Sequence, residues 1–261
     1  MVGAVKGRVR AVARAPGVLG SIVAATAGCA AGRRLHHADP AARVAWRNAW
    51  LGVWCRAVLR VIGARVRVEG RPPARPFVLV ANHQSYLDIP VLLGQTGAVF
   101  VARGDLSGWP LLGALSRNAE AIFIDRGRRV EVARVTDLIG QVLAQGDGVV
   151  FFPEGTSSDG TGVLPFHSSL LEPAVRLGMP VHYAAIRYIT PPGAPPPSEA
   201  LAWWGDMDFG PHLAGLLQLP GFEVRVSFGP APITAPNRKA LARQLHDAVA
   251  GAYARLGDVE A

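Results

Sequence analysis

Lysine is almost missing from this sequence. Only Lys6 and Lys239 interrupt a basic set that is otherwise all arginine. We read that as base-composition bias rather than as design for one partner. The two cysteines, Cys29 and Cys55, cannot build a disulfide framework, and no CxxC pair suggests zinc. Aromatic residues make up 7% of the chain and no zinc-finger or RNA-binding signature occurs, which argues against nucleic acid despite a net charge of +8. There is no GxSxG elbow to carry a protein nucleophile and no HExxH metal motif.

What is present is hydrophobic and unevenly charged. The chain has 261 residues, half of them hydrophobic, with a mean hydropathy of +0.24. That length holds one large α/β domain with an N-terminal appendage. Residues 1–75 carry fourteen Lys/Arg against two acids, Asp39 and Glu69, a net +12, so the remainder carries −4. A basic segment beside an acidic body suggests a negatively charged surface as partner, and lipid fits better than nucleic acid.

Residues 1–14 place Lys6, Arg10 and Arg14 four apart, a basic stripe if helical. The apolar run Ala15–Gly32 follows, closed by Arg33 and Arg34. It is about long enough to enter a bilayer, though rich in Gly and Ala. A secretory signal is the alternative, and TAGC (Thr26–Cys29) faintly resembles a lipoprotein cleavage box. Asp39-Pro40 is a helix start and Gly63 a stop. Between them Trp46, Trp50 and Trp54 share one face, and Val44, Leu51, Val58 and Ile62 the other. Either both faces pack in a core, or the Trp/Arg face meets a lipid headgroup layer. The charge favours the second, so residues 1–64 are expected to be a membrane-associated helical segment. A chain beginning near residue 65 is then expected to be more soluble.

From residue 65 the pattern is α/β. Strands are expected at 65–70, 77–82, 98–103, 121–126, 149–154, 181–188 and 222–229. Helices are expected near 88–95, 108–118, 129–145, 167–177 and 237–256. Alternation of this kind predicts a mostly parallel sheet covered by helices over residues 65–261. The proline-rich stretch 191–200 reads as a loop.

Three stretches each follow a strand. In ANHQSYLD (Ala81–Asp88), His83 and Asp88 would point apart on one continuous helix. They meet only if His83 precedes the helix and the chain turns, which Pro90 in a first turn supports. The competing reading makes Ser85 and Asp88 a capping box. A metal reading lacks further ligands nearby. A His–Asp pair can remove a proton from a hydroxyl, with Asp fixing the tautomer. Ser85 and Ser157 could supply that hydroxyl, but neither sits in an elbow, so a substrate hydroxyl is simpler. In AIFIDRGRR (Ala121–Arg129), arginines stand at a strand's C-terminal edge, where open α/β sheets bind ligands. They suit a phosphate or carboxylate. In VVFFPEGTSSDG (Val149–Gly160), Gly155 allows a positive φ, which could aim backbone N–H groups at an anion.

Taken together, these blocks resemble the lysophospholipid acyltransferases related to 1-acyl-sn-glycerol-3-phosphate acyltransferase. H-x4-D is met by His83 and Asp88, the F-x-x-R block by Phe123 and Arg126, and FPEGT by Phe152 to Thr156. The resemblance covers roughly residues 65–250. It implies a glycerol-3-phosphate acyltransferase-like fold and acyl transfer from a thioester to a lysolipid hydroxyl, with His83 as base and Asp88 as its orienter. Phe123, Arg126, Glu154, Gly155, Thr156 and Ser157 would hold acceptor or donor. The implied partners are membrane lipid, a lysophospholipid, most simply 1-acyl-sn-glycerol-3-phosphate, and acyl-CoA or acyl-carrier protein. No metal or redox cofactor is implied. The implied place is the cytoplasmic face of a cell membrane.

Several positions depart from that pattern. Glu120 stands where the second block usually begins with Gly, Ser157 where many members have Arg, His167 for a frequent Lys and Tyr183 for a frequent Pro. FPEGTSSDG with the following LPF, and the later WWGDM (Trp203–Met207), are similar to lyso-ornithine lipid acyltransferases. A non-catalytic lipid-surface protein and a hydrolase are the alternative functions.

Overall fold

The computed structural model describes residues 2–125 and 130–258. Helix α1 (Val2–Leu35) runs unbroken through Pro16, merging the basic stripe with the apolar run. Val18, Ile22, Ala25 and Cys29, spaced four, three and four apart, are buried. That spacing keeps one face of a helix on its neighbour. The neighbour is α2 (Pro40–Val61), whose Asp39 cap accepts the Ala42 N–H at 3.0 Å. Gly63 at φ +84° follows its end.

The tryptophan face of α2 packs against α1. Trp46 Nε1–H donates to the Gly28 carbonyl at 3.0 Å and Trp50 Nε1–H to the Ala25 carbonyl at 3.2 Å. Trp54 donates to Ser21 Oγ at 3.2 Å. A Cβ on Gly28 would lie 2.0 Å from the Trp50 indole, and one on Gly32 2.0 Å from Trp46. On the opposite face Leu51, Val58 and Ile62 join the core beneath the sheet. The indole row thus turns mainly to α1, where bare glycine surface and open carbonyls take the indole edges, while Trp46 stays 38% exposed. The outer face of α1 exposes Val9, Val12, Leu19 and Val23, and no charge stands between Arg14 and Arg33. Val5–Leu35 is long and apolar enough to cross a membrane by length and composition. The helix is consistent with membrane association.

Among the described residues seven strands form one sheet: β1 (Ala64–Glu69), β2 (Phe77–Ala81), β3 (Val99–Arg103), β4 (Ile122–Ile124), β5 (Gly148–Phe151), β6 (Val181–Ile189) and β7 (Phe222–Phe228). Their order is β1-β7-β6-β2-β5-β3-β4. All pairs are parallel except β6–β7, so β1 and β7 run against the other five. Central β2 (FVLVA) is buried at every residue, which explains its continuous apolar run.

Helix α3 (Asp88–Thr96) ends at Gly97, φ +61°. The helix expected at 108–118 is divided: a 3-10 turn (Gly104–Gly108), then α4 (Leu112–Asn118), parted by Pro110 and by Leu111 at φ 61°. The 167–177 helix likewise splits into a 3-10 turn (Ser168–Leu171) and α6 (Glu172–Arg176) at Pro173. α5 (Val130–Ala144) and α9 (Arg238–Asp258) lie where expected. Two helices were not anticipated, α7 (Pro197–Ala200) and α8 (Phe209–Gln218). Prolines and the four-residue length of α7, and glycine and proline in α8, hide the helical period. Arg14 donates to the Leu217 and Leu219 carbonyls at 3.2 and 2.7 Å, and Arg10 to Gln218. Two of the three stripe cations thus satisfy the end of α8.

One sheet face is packed by α1, α2, α3 and α8, the other by α5, α6 and α9. The inner faces of the N-terminal helices share a core with the sheet.

Candidate active site

β6 outlasts its neighbour. Ala81, the last residue of β2, pairs with Ala184, and β6 continues to Ile189. The chain leaving β2 leans on that extension. Asn82 Nδ2–H donates to the Ile186 carbonyl at 2.9 Å and its Oδ1 accepts the Ile186 N–H at 2.8 Å. Gln84 Nε2–H reaches the same carbonyl at 2.7 Å. These bonds fix the backbone on either side of His83.

Asp88 opens α3 and is wholly buried. Its Oδ2 lies 2.7 Å from His83 Nδ1 and accepts the Gln84 and Ser85 N–H groups at 2.7 and 2.9 Å. Its Oδ1 accepts the Tyr188 hydroxyl at 2.6 Å. The turn between His83 and Asp88 is therefore the predicted one. Half of the alternative capping box also forms: the carboxylate takes the Ser85 N–H, but Ser85 Oγ is buried without a partner. With Nδ1 on the carboxylate, Nε2 is the ring nitrogen left for a substrate. The imidazole stacks on Phe152, centroids 4.1 Å apart and planes 6° from parallel.

The segment after β5 closes around the same histidine. Ser158 N–H donates to the His83 carbonyl at 2.9 Å. Glu154 Oε1 accepts the His83 N–H at 3.1 Å, while Oε2 is buried without a partner. Burial pushes the Glu154 carboxyl up to about 8, partly offset by the bond from His83 and reinforced by nearby Asp88. Gly155 has φ +77°, as its turn requires, but its N–H is spent on the Phe152 carbonyl at 3.2 Å. It is not free to meet an anion. Ser157 Oγ–H donates to the Trp203 carbonyl, and Trp203 N–H to the Gln84 carbonyl at 2.8 Å.

A cavity of about 320 Å³ opens onto His83, Gly155, Thr156 and Ser157. Its walls are apolar and extend to Val18 and Ile22 of α1 and Leu51 of α2. Trp203, Phe209 and Trp109 meet edge to face along one side. Asp88 and Glu154 stand behind the lining rather than in it. Phe123 is not brought there: it lines a second cavity, with Arg43, Arg47 and Glu120. Arg126, with Arg128 and Arg129, lies outside the described residues. Ser85, one candidate nucleophile, is fully buried and Ser157 is bonded away.

Glu120 has φ +61°. A glycine meets that conformation without steric cost. Here the glutamate forms ion pairs with Arg47 at 2.7 Å and Arg43 at 3.3 Å of α2. Arg47, itself buried, also pairs with buried Asp147 at the start of β5.

Sequence reasoning missed Tyr188 and two members of the aromatic wall, Trp109 and Phe209 at the start of α8. The only signal for Tyr188 is its place on the same alternating face of β6 as Ala184 and Ile186. Tyr86, whose hydroxyl lies 3.1 Å from His212 Nδ1, carried none.

A parallel-strand edge bearing a His–Asp pair beside a long apolar cavity suits transfer chemistry on a substrate with a chain. Residues 65–187 match the family model Acyltransferase. A lyso-ornithine lipid O-acyltransferase of Brucella abortus is 33% identical over 225 residues, spanning 78% of this chain and 81% of that protein. One from Pseudomonas aeruginosa is 32% identical over 244 residues, 93% of each. A 1-acyl-sn-glycerol-3-phosphate acyltransferase of Neisseria meningitidis is 31% identical over 176 residues, 66% and 68%. The crystal structure of the 1-acyl-sn-glycerophosphate acyltransferase PlsC from Thermotoga maritima matches with a TM-score of 0.65 at 21% identity, over 84% and 83% of the chains; that likeness concerns the fold. The chain belongs to the Acyltransferase family and is an O-acyltransferase.

Proposed function

We propose that the protein moves an acyl group from a thioester, acyl-CoA or acyl-carrier protein, to the free hydroxyl of a lysolipid. The observation that carries this reading is the 2.7 Å His83 Nδ1–Asp88 contact at the mouth of an apolar cavity. His83 Nε2 takes the hydroxyl proton as that oxygen attacks the thioester carbonyl. The tetrahedral intermediate expels the thiolate, which receives the proton from the imidazolium. Such base catalysis is worth roughly 10²–10⁴-fold. The apolar cavity accommodates the acyl chain, and Gly155, Thr156 and Ser157 border the reacting groups. Glu154 serves by holding the His83 backbone.

For the acceptor we favour a lyso-ornithine lipid over 1-acyl-sn-glycerol-3-phosphate. Relatives carrying that name match over most of both chains. WWGDM also sits on the site, bonded through Trp203 to Gln84 and Ser157. The outer face of α1 would lie in one leaflet of a membrane, with the site on the cytoplasmic side.

Purified protein on vesicles, given acyl-CoA and either lyso-ornithine lipid or 1-acyl-sn-glycerol-3-phosphate, is followed by free thiol release and by lipid product. Diacylated ornithine lipid is expected, with loss of about a thousandfold in His83→Ala. No turnover on either lysolipid, or full activity in the variant, refutes the reading. Free fatty acid without acylated lipid would mark a hydrolase.

A further inference from the structure

Asp88 carries four hydrogen bonds in a fully buried place, and three of them fall on Oδ2. The other oxygen, Oδ1, receives the phenol of Tyr188 at 2.6 Å, a short contact of the kind made to an ionised acceptor. Tyr188 is 3% exposed and reaches Asp88 because β6 runs past the end of β2. Its ring is fixed in the core near Phe222, centroids 6.5 Å apart. Burial and the neighbouring carboxylate hold the phenol well above its ordinary range, so it stays a donor. A donor on the second oxygen of a buried carboxylate holds the group in place and draws negative charge away from the oxygen that faces the histidine.

We infer that Tyr188 is a positioning residue, the third member of a His83–Asp88–Tyr188 chain. Its hydroxyl fixes the Asp88 carboxyl and takes up part of its negative charge, and thereby sets the proton affinity of His83. The inference rests on the proposed role of His83 as base for its catalytic consequence, but not for its geometry. The groups facing the His83 ring and backbone are Asp88 from α3, Phe152 and Glu154 after β5, and Tyr188 through Asp88. Only the last is altered in the test.

The titration of the His83 ring is followed by NMR in the full-length protein in detergent micelles, without substrate. In Tyr188→Phe, Oδ1 loses its donor, more negative charge faces the ring, and the midpoint is expected to rise by at least about half a pH unit. With 3-fluorotyrosine at position 188, a stronger donor, the midpoint is expected to fall, which keeps the test decisive if the phenylalanine variant folds poorly. Where lysolipid turnover is measurable, kcat in Tyr188→Phe is expected to drop about ten- to hundredfold with KM unchanged, the loss of one hydrogen bond to a charged group. Unmoved midpoints in both proteins overturn the inference and leave Tyr188 a core residue. Absence of turnover in the unaltered protein refutes the proposed function alone, because the ring titration still reads the chain.

Discussion

Glu154→Gln tests the electrostatics of the site without touching its shape. The amide keeps an oxygen to accept the His83 N–H and removes the titration. Glu154 is 1% exposed, and its carboxyl is pushed up from 4.5 to about 8. Below pH 4.5 the group is protonated folded or unfolded and contributes nothing. Between 4.5 and 8 the unfolded chain has lost the proton that the folded chain keeps, so stability falls as pH rises. Above 8 the penalty is complete and constant. At about 1.4 kcal/mol per pH unit the gap amounts to roughly 5 kcal/mol, a ceiling that relaxation around a forced charge reduces. Urea unfolding in mild detergent at pH 5.0 and 8.5 reads it directly. The unaltered protein should lose several kcal/mol relative to Glu154→Gln across that range. Parallel pH profiles for the two would refute the reasoning.

Three other outcomes follow from packing. Gly28→Ala places a Cβ 2.0 Å from the Trp50 indole and should cost about 1–3 kcal/mol, read as a lower unfolding midpoint; an unchanged midpoint contradicts the contact. Glu120→Ala loses two ion pairs yet keeps the left-handed backbone, whereas Glu120→Gly recovers about 1–2 kcal/mol of that strain. The alanine variant should therefore be the less stable in thermal scans, and the reverse order would refute the account. Removing residues 1–61 uncovers the sheet face that Leu51 and Val58 cover, so the shortened chain should aggregate on gel filtration rather than gain solubility; a monodisperse soluble product would overturn this.

The strand pattern was legible because apolar runs such as Phe77–Val80 are fully buried in a mostly parallel sheet. The turn between His83 and Asp88 was legible from angular spacing and Pro90. α8 was not, since glycine and proline at its start mask the period. The partners of the tryptophans were not legible either: nothing local says that Gly28 and Gly32, in a preceding helix, form their seat. Tyr188 escaped because an inward aromatic on a strand is ordinarily core, and only the unequal lengths of β2 and β6 bring it to Asp88. The second cavity escaped because Phe123 and its neighbours were read as one motif, while alternation along β4 sends Phe123 away from His83's side.

The indole–glycine contacts make α1 and α2 behave as a notched ruler. Three indoles bond at Ser21, Ala25 and Gly28, and two of them occupy the notches at Gly28 and Gly32. Sliding α1 by one residue in either direction would present a Cβ where an indole now lies. The axial setting is thus digital, with one permitted position. Because Arg10 and Arg14 tie the same helix to the end of α8, that setting also fixes where the end of α8 docks along α1. Two missing side chains, at Gly28 and Gly32, thus act as the gauge that spaces the N-terminal helices.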